Sequence, residues 1–97
     1  AGFQYDASAS ANWFVNNGDG VANQNGDTAI AASTSEITLK MTWNAANIVY
    51  NINGSDTNTI TNNRPPEDRG YELWFFIQTE AAAAKTVYID KILVELS

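Results

Sequence analysis

The clearest regularity in the chain lies at 36–43, where Ile37, Leu39, Met41 and Trp43 are separated by Thr38, Lys40 and Thr42. A period of two over this length predicts a strand with one face in a core and the other wet. The next run, 47–53, places Ile48, Tyr50 and Ile52 on one face and leads into Asn53-Gly54, a pair suited to the two left-handed positions of a tight hairpin turn. The return strand predicted at 56–61 is polar apart from Ile60, as expected of an edge or a lightly covered strand. Pro65 and Pro66 remove two backbone donors and make 62–70 a loop. Beyond it, 71–79 carries Tyr71, Leu73, Phe75 and Ile77 on one parity. Trp74 and Phe76 stand on the other, flanked by Glu72 and Gln78, the pattern of a central strand covered on both faces. The last strand, 85–96, changes phase between Val87 and Ile89 on one parity and Ile92, Val94 and Leu96 on the other, which predicts a one-residue bulge near Asp90-Lys91.

The first third is less regular. Residues 2–6 and 12–17 read as two short strands with Phe3, Tyr5, Trp13 and Val15 pointing inward, joined by the small residues 7–11. Asn17-Gly18, Asp19-Gly20 and Asn25-Gly26 then predict turns in quick succession, followed by a short strand at 28–32. No helix is predicted. The total is about seven or eight short strands at turn spacings that suit an antiparallel sandwich or barrel.

Composition agrees with an all-β reading. The 97 residues fit one domain spanning 1–97, and with 44% hydrophobic and only 16% charged residues the chain relies on Asn and Thr for solubility. The chain starts without Met and enters strand-like sequence by Phe3, as expected of a processed product or a module of a longer protein. The formal net charge is -6, and Lys40, Arg64, Arg69, Lys85 and Lys91 are scattered singly. Without a basic patch, neither nucleic acid nor an anionic membrane is an expected partner. No apolar run approaches the ~20 residues of a spanning helix. Cysteine is absent, so stability must come from packing or association.

Taken in order, these features become more specific. The run 35–43, the Asn47-Ile48-Val49-Tyr50-Asn51-Ile52-Asn53-Gly54 hairpin, the proline loop, the strand at 71–77 and the closing Tyr88-Ile89-Asp90-Lys91-Ile92 together resemble the later part of concanavalin-like lectin modules. In that family a "Y-x-I-N-G" hairpin is followed by a final strand reading "x-I-D-x-I". Trp13-Phe14-Val15-Asn16-Asn17-Gly18 is similar to the strand and turn before the hairpin in phage versions. The resemblance implies a short jelly-roll β-sandwich of the type found in phage tail fibres, tailspikes, other virion proteins and secreted glycan-binding proteins. It therefore implies a virion or cell-surface location. Full modules carry more strands before this point than the first twelve residues can hold, so neighbouring domains or further copies of the chain are expected to supply the missing cover.

Chemistry is sparse by inventory. There is no His to act as a base and no Cys to act as a nucleophile. Glycoside hydrolysis needs two carboxylates facing one cleft. The sandwich glycanases pair Glu residues on one strand, whereas Glu72 stands alone, so no enzyme activity is expected. Asp19, Asn25 and Asp27 are oxygen-bearing residues in a Gly-rich stretch and are weak Ca²⁺ candidates, but their spacing completes no ligand loop and turn chemistry explains them. Glu72, Trp74, Phe76 and Gln78 form the best candidate surface, either an interface with another copy or a sugar-stacking platform. The sequence-level expectation is a non-catalytic structural or adhesion module that assembles through a sheet face or edge and binds glycan weakly. The alternative is a stand-alone carbohydrate-binding module.

Overall fold

The computed structural model describes residues 1–64 together with 86, 89 and 91–93. Over these residues the protein is all-β, with no helix. β1 (Gly2–Gln4), β2 (Asn12–Gly18) and β3 (Asn23–Ala31) form one antiparallel sheet in that order. β4 (Leu39–Trp43), β5 (Ile48–Ile52) and β6 (Ser55–Ile60) form a second. The strands expected at 71–79 and 85–96, the Asp90-Lys91 bulge and most of the proline loop lie outside the described residues.

The second sheet follows the alternation of its sequence. Ile48, Tyr50 and Ile52 are all buried on one face of β5. Asn53 (φ 51°) and Gly54 (φ 87°) both take left-handed backbone, as a type I′ hairpin requires, and the ladder closes on the pair Ile52 and Ser55. The turn is also tied to the start of β4. Asn53 N–H donates to the Thr38 carbonyl, and Asn53 Oδ1 accepts from Thr38 N–H, both at 2.9 Å. Within β6 the register shifts so that Thr57 is an extra residue, its hydroxyl donating to the Tyr50 carbonyl at 3.3 Å. This bulge turns Asn58 and Ile60 toward the faces of Tyr50 and Ile48, an inversion that a polar strand does not advertise.

In the first sheet, Phe3, Val15 and Gly26 are partners in one row across the strands, and in the second sheet Met41, Tyr50 and Asn58 make the corresponding row. The two rows interdigitate by size. Small Val15 and Gly26 leave room for Tyr50 and Asn58, while the ring of Phe3 meets Tyr50 edge-on, with centroids 5.3 Å apart at 88°. Val15, Ile48, Tyr50 and Ile60 are the buried cluster, with Phe3 and Met41 packed against it. The Tyr50 hydroxyl crosses to the first sheet and donates to the Asn16 carbonyl at 2.9 Å. Asn58 Nδ2 does the same to the Asp27 carbonyl at 3.2 Å, and Asn17 Nδ2 to the Asn62 carbonyl at 3.0 Å. One aromatic layer and three side-chain bridges to backbone therefore couple the sheets.

Three expectations need correction. Asn17-Gly18 and Asn25-Gly26 are strand residues, not turns, and the reversal is made at 19–22, where Gly20 has φ 90°. At Gly26 the reason is close approach, since a Cβ there would lie 2.9 Å from Asn58 Nδ2 and 3.3 Å from Val15 Cγ2. The strand expected at 28–32 consequently starts earlier and runs as β3. Second, Tyr5 lies beyond β1 and is exposed, its ring 5.7 Å from the half-buried Trp13, instead of entering the core. Third, the run at 36–43 becomes strand only from Leu39. Leu39, Met41 and Trp43 do face the core side, opposite Ile52, Tyr50 and Ile48, but Leu39 stays 38% and Trp43 42% exposed. Among the described residues, the lateral order of the two sheets places three-residue β1 on the side of five-residue β4.

Candidate functional site

The four residues singled out as a surface, Glu72, Trp74, Phe76 and Gln78, lie outside the described residues. Asp6, Asp19 and Asp27 are each engaged by nearby backbone N–H groups. Asp6 accepts from the Ser8 hydroxyl at 2.6 Å and from Ser8 N–H at 2.9 Å. Asp19 Oδ1 accepts from Val21 and Ala22 N–H, both at 2.8 Å, and closes the β2–β3 turn. Asp27 Oδ1 accepts from Ala29 N–H at 2.7 Å and from Asn12 Nδ2 at 3.1 Å, at the point where Ala29 adopts φ 60° and the ladder skips. These are Asx-type contacts that hold reversals and irregular backbone. Asp19, Asn25 and Asp27 do not share one loop, because Asn25 and Asp27 belong to β3. Among the described residues no group of three or more His, Cys, Asp or Glu could hold a metal ion, and no helix is long and apolar enough to cross a membrane.

These contacts set a pH dependence. The Ser8 hydroxyl and N–H hold the Asp6 carboxyl below its ordinary value of 3.8, and the Ala22 and Val21 N–H groups do the same for Asp19. A depressed folded-state value means that both contributions are complete above the unfolded value and are lost as the pH falls through the folded one. Thermal stability should therefore decline below about pH 3.8, and Asp19→Asn should flatten that decline; an unchanged acid limb in melting temperature against pH would refute the role of Asp19.

A different surface emerges on the outer face of the first sheet. Strand alternation and register place Gly2, Asn16 and Asn25 in one row, Gln4, Phe14 and Asp27 in the next, and Gly18 beside Asn23 at the turn end. Asn16 Nδ2 donates to Gln4 Oε1 at a long 3.4 Å, leaving most of the amide valences of this face directed to solvent. An open depression of about 510 Å³ is lined by Gln4, Asn16, Asn23 and Asn25, with Gly18 and Gly20 at its turn end. A second, of about 210 Å³, is lined by Phe14, Asp6 and again Gln4 and Asn25. Gln4 and Asn25 line both depressions, which together make up an amide-lined trough on this face. A Cβ on Gly18 would press on Asn23 Oδ1, the end of an exposed side chain that can turn aside. Ala1 also lines the larger depression, and residues 1–31 carry Asp6, Asp19 and Asp27 but no Lys or Arg side chain.

Sequence reasoning passed over Gln4 and Asn16 and weighed Asn25 only as a weak Ca²⁺ candidate, because Asn near Gly reads as turn chemistry. The available signal was the period of two in Asn23, Asn25 and Asp27, each separated by one residue that faces the other way.

Fold and surface together define an all-β protein of two antiparallel three-stranded sheets over the described residues, with an amide-lined outer face. Comparison with known proteins finds no matching family model, no matching curated protein and no matching solved structure.

Proposed function

We propose that the protein is a non-catalytic structural or adhesion module of a virion or cell-surface protein, a short concanavalin-like β-sandwich that associates with further copies of itself. The observation that carries this reading is the 38% exposure of Leu39 on the core side of β4, where β1, the described strand on that side, has three residues. An aliphatic side chain on the core-facing side of a sheet gains by burial, roughly 25 cal/mol for each Å² removed from water, and a second copy is the simplest source of that cover. The local engagement of Asp6, Asp19 and Asp27 in backbone turns, instead of pairing across a cleft, favours a binding role over a hydrolytic one.

Light scattering over a concentration series tests it. A mass that rises with concentration is expected, and Leu39→Lys should return the protein to a monomer with its circular dichroism unchanged. A wild-type monomer at every concentration would exclude self-association. The alternative, a stand-alone carbohydrate-binding module, is favoured by the amide trough and not by β4.

A further inference from the structure

We propose that Met41 is an oxidation site through which hydroperoxides control association at β4: conversion of its thioether to the sulfoxide releases the copies from one another. This rests on the association reading above and names its regulation. With one Met and no Cys, the chain holds a single sulfur atom, that of Met41, and oxidation to the sulfoxide is the common reaction of a Met thioether with peroxides. Met41 stands at the middle of β4 on its core-facing side, between Leu39 and Trp43, both of which are exposed. It pairs with Tyr50 and packs against the buried cluster of Val15, Ile48, Tyr50 and Ile60, yet is itself only half-buried. Lys40 and Thr42, its neighbours on the other face, are exposed as well. A peroxide in solvent therefore has access to β4 in the folded, unassociated protein.

The sulfur takes one oxygen atom from the hydroperoxide, whose O–O bond breaks and whose remainder leaves as water or an alcohol. The sulfur loses two electrons and the peroxide gains them. The product sets a polar oxygen where an apolar group stood. In a single copy a half-buried Met, with three rotatable bonds, turns that oxygen toward water. A second copy laid over Leu39 and Met41 removes the water, and the sulfoxide oxygen is left desolvated without a donor. Oxidation thus opposes association more than folding. A methionine sulfoxide reductase reverses it, releasing the oxygen as water while a pair of thiols is oxidised to a disulfide.

The test is light scattering over a concentration series before and after treatment with hydrogen peroxide, with peptide mass mapping to locate the added oxygen. Oxidation at Met41 should weaken association roughly tenfold, the effect of one buried polar group left unpaired, with circular dichroism unchanged. Treatment with a methionine sulfoxide reductase and dithiothreitol should restore the original mass curve. Met41→Leu, a volume-conserving swap, should associate like the wild type and ignore peroxide. Met41→Gln, which places a neutral polar group at the same position, should fold and associate as weakly as the oxidised protein. Association covers the sulfur in turn, so the oxidation rate should fall over the concentration range in which the mass rises. Unaltered association of protein oxidised at Met41, equal peroxide sensitivity of Met41→Leu, or loss of folded circular dichroism on oxidation would overturn the proposal. A wild type that stays monomeric at every concentration fails the association reading and this one together, whereas one that associates regardless of Met41 oxidation fails only this one.

Discussion

Tyr50→Ala should lower the stability of the protein by about 3–5 kcal/mol, the range for deleting a buried aromatic ring. Tyr50 is fully buried at the centre of β5, meets Phe3 edge-on and bonds the Asn16 carbonyl of the opposite sheet. Its loss removes a side chain that both fills the space between the sheets and joins them by a hydrogen bond. Since small domains are stable by only about 5–15 kcal/mol, this is a large fraction of the total. Tyr50→Phe separates the two contributions. It keeps the ring and deletes the hydroxyl, and should cost about 1 kcal/mol. The wild type also carries an alkaline signature. Burial, partly offset by a backbone hydrogen bond from Gly2, pushes the phenol from 10.0 up to about 12. The unfolded chain therefore ionises first, so stability is complete below about pH 10 and falls as the pH rises toward about 12; Tyr50→Phe should remove this part of the decline. Urea midpoints for the three proteins between pH 7 and pH 12 supply the measurement. Equal midpoints for wild type and Tyr50→Ala at neutral pH would show that Tyr50 does not organise the core.

Gly26→Val should cost about 1–3 kcal/mol, the usual penalty of overpacking. The backbone of Gly26 is not left-handed, so conformational freedom is not the reason for glycine here. The first added carbon already falls 2.9 Å from Asn58 Nδ2 and 3.3 Å from Val15 Cγ2, and the two methyls of valine extend further into the same space. Either the sheets separate or Asn58 gives up its bond to the Asp27 carbonyl. Gly26→Ala is the milder case, because the Asn58 amide end can shift and the smaller entropy loss of alanine on folding offsets part of the clash. Pairing Gly26→Ala with Asn58→Ala should be less costly than the sum of the single changes, since the two positions share one space. Denaturant midpoints decide this, and a Gly26→Val protein as stable as wild type would mean that β3 and β6 are not in close contact at this row.

Legibility differed between the two sheets for a physical reason. The hairpin of β5 and β6 is written in local terms: Ile48, Tyr50 and Ile52 alternate, and Asn53-Gly54 meets the two positive φ angles that the turn demands. In the first sheet the local signals conflict. Asn17-Gly18 and Asn25-Gly26 have turn chemistry, yet Asn17 is buried with its amide on the Asn62 carbonyl, and Gly26 is glycine because Asn58 lies over it. Both causes are partners at least 32 residues away, beyond the reach of any local pattern. The amide trough was hidden for the same reason. Its residues come from three strands, and Gln4, Asn16 and Asn25 become neighbours only through strand register.

By itself the sequence determined the all-β character of the described residues, the succession of β4, β5 and β6, the face of β5 that is buried and the hairpin turn, because each depends on alternation or turn chemistry within a few residues. The tertiary structure decided which turn signals are turns, why Gly26 must be small, where the Thr57 bulge inverts β6, how little of β4 is covered and which amides share a face. Those outcomes depend on the spacing of two sheets and on registers set by contacts between distant segments.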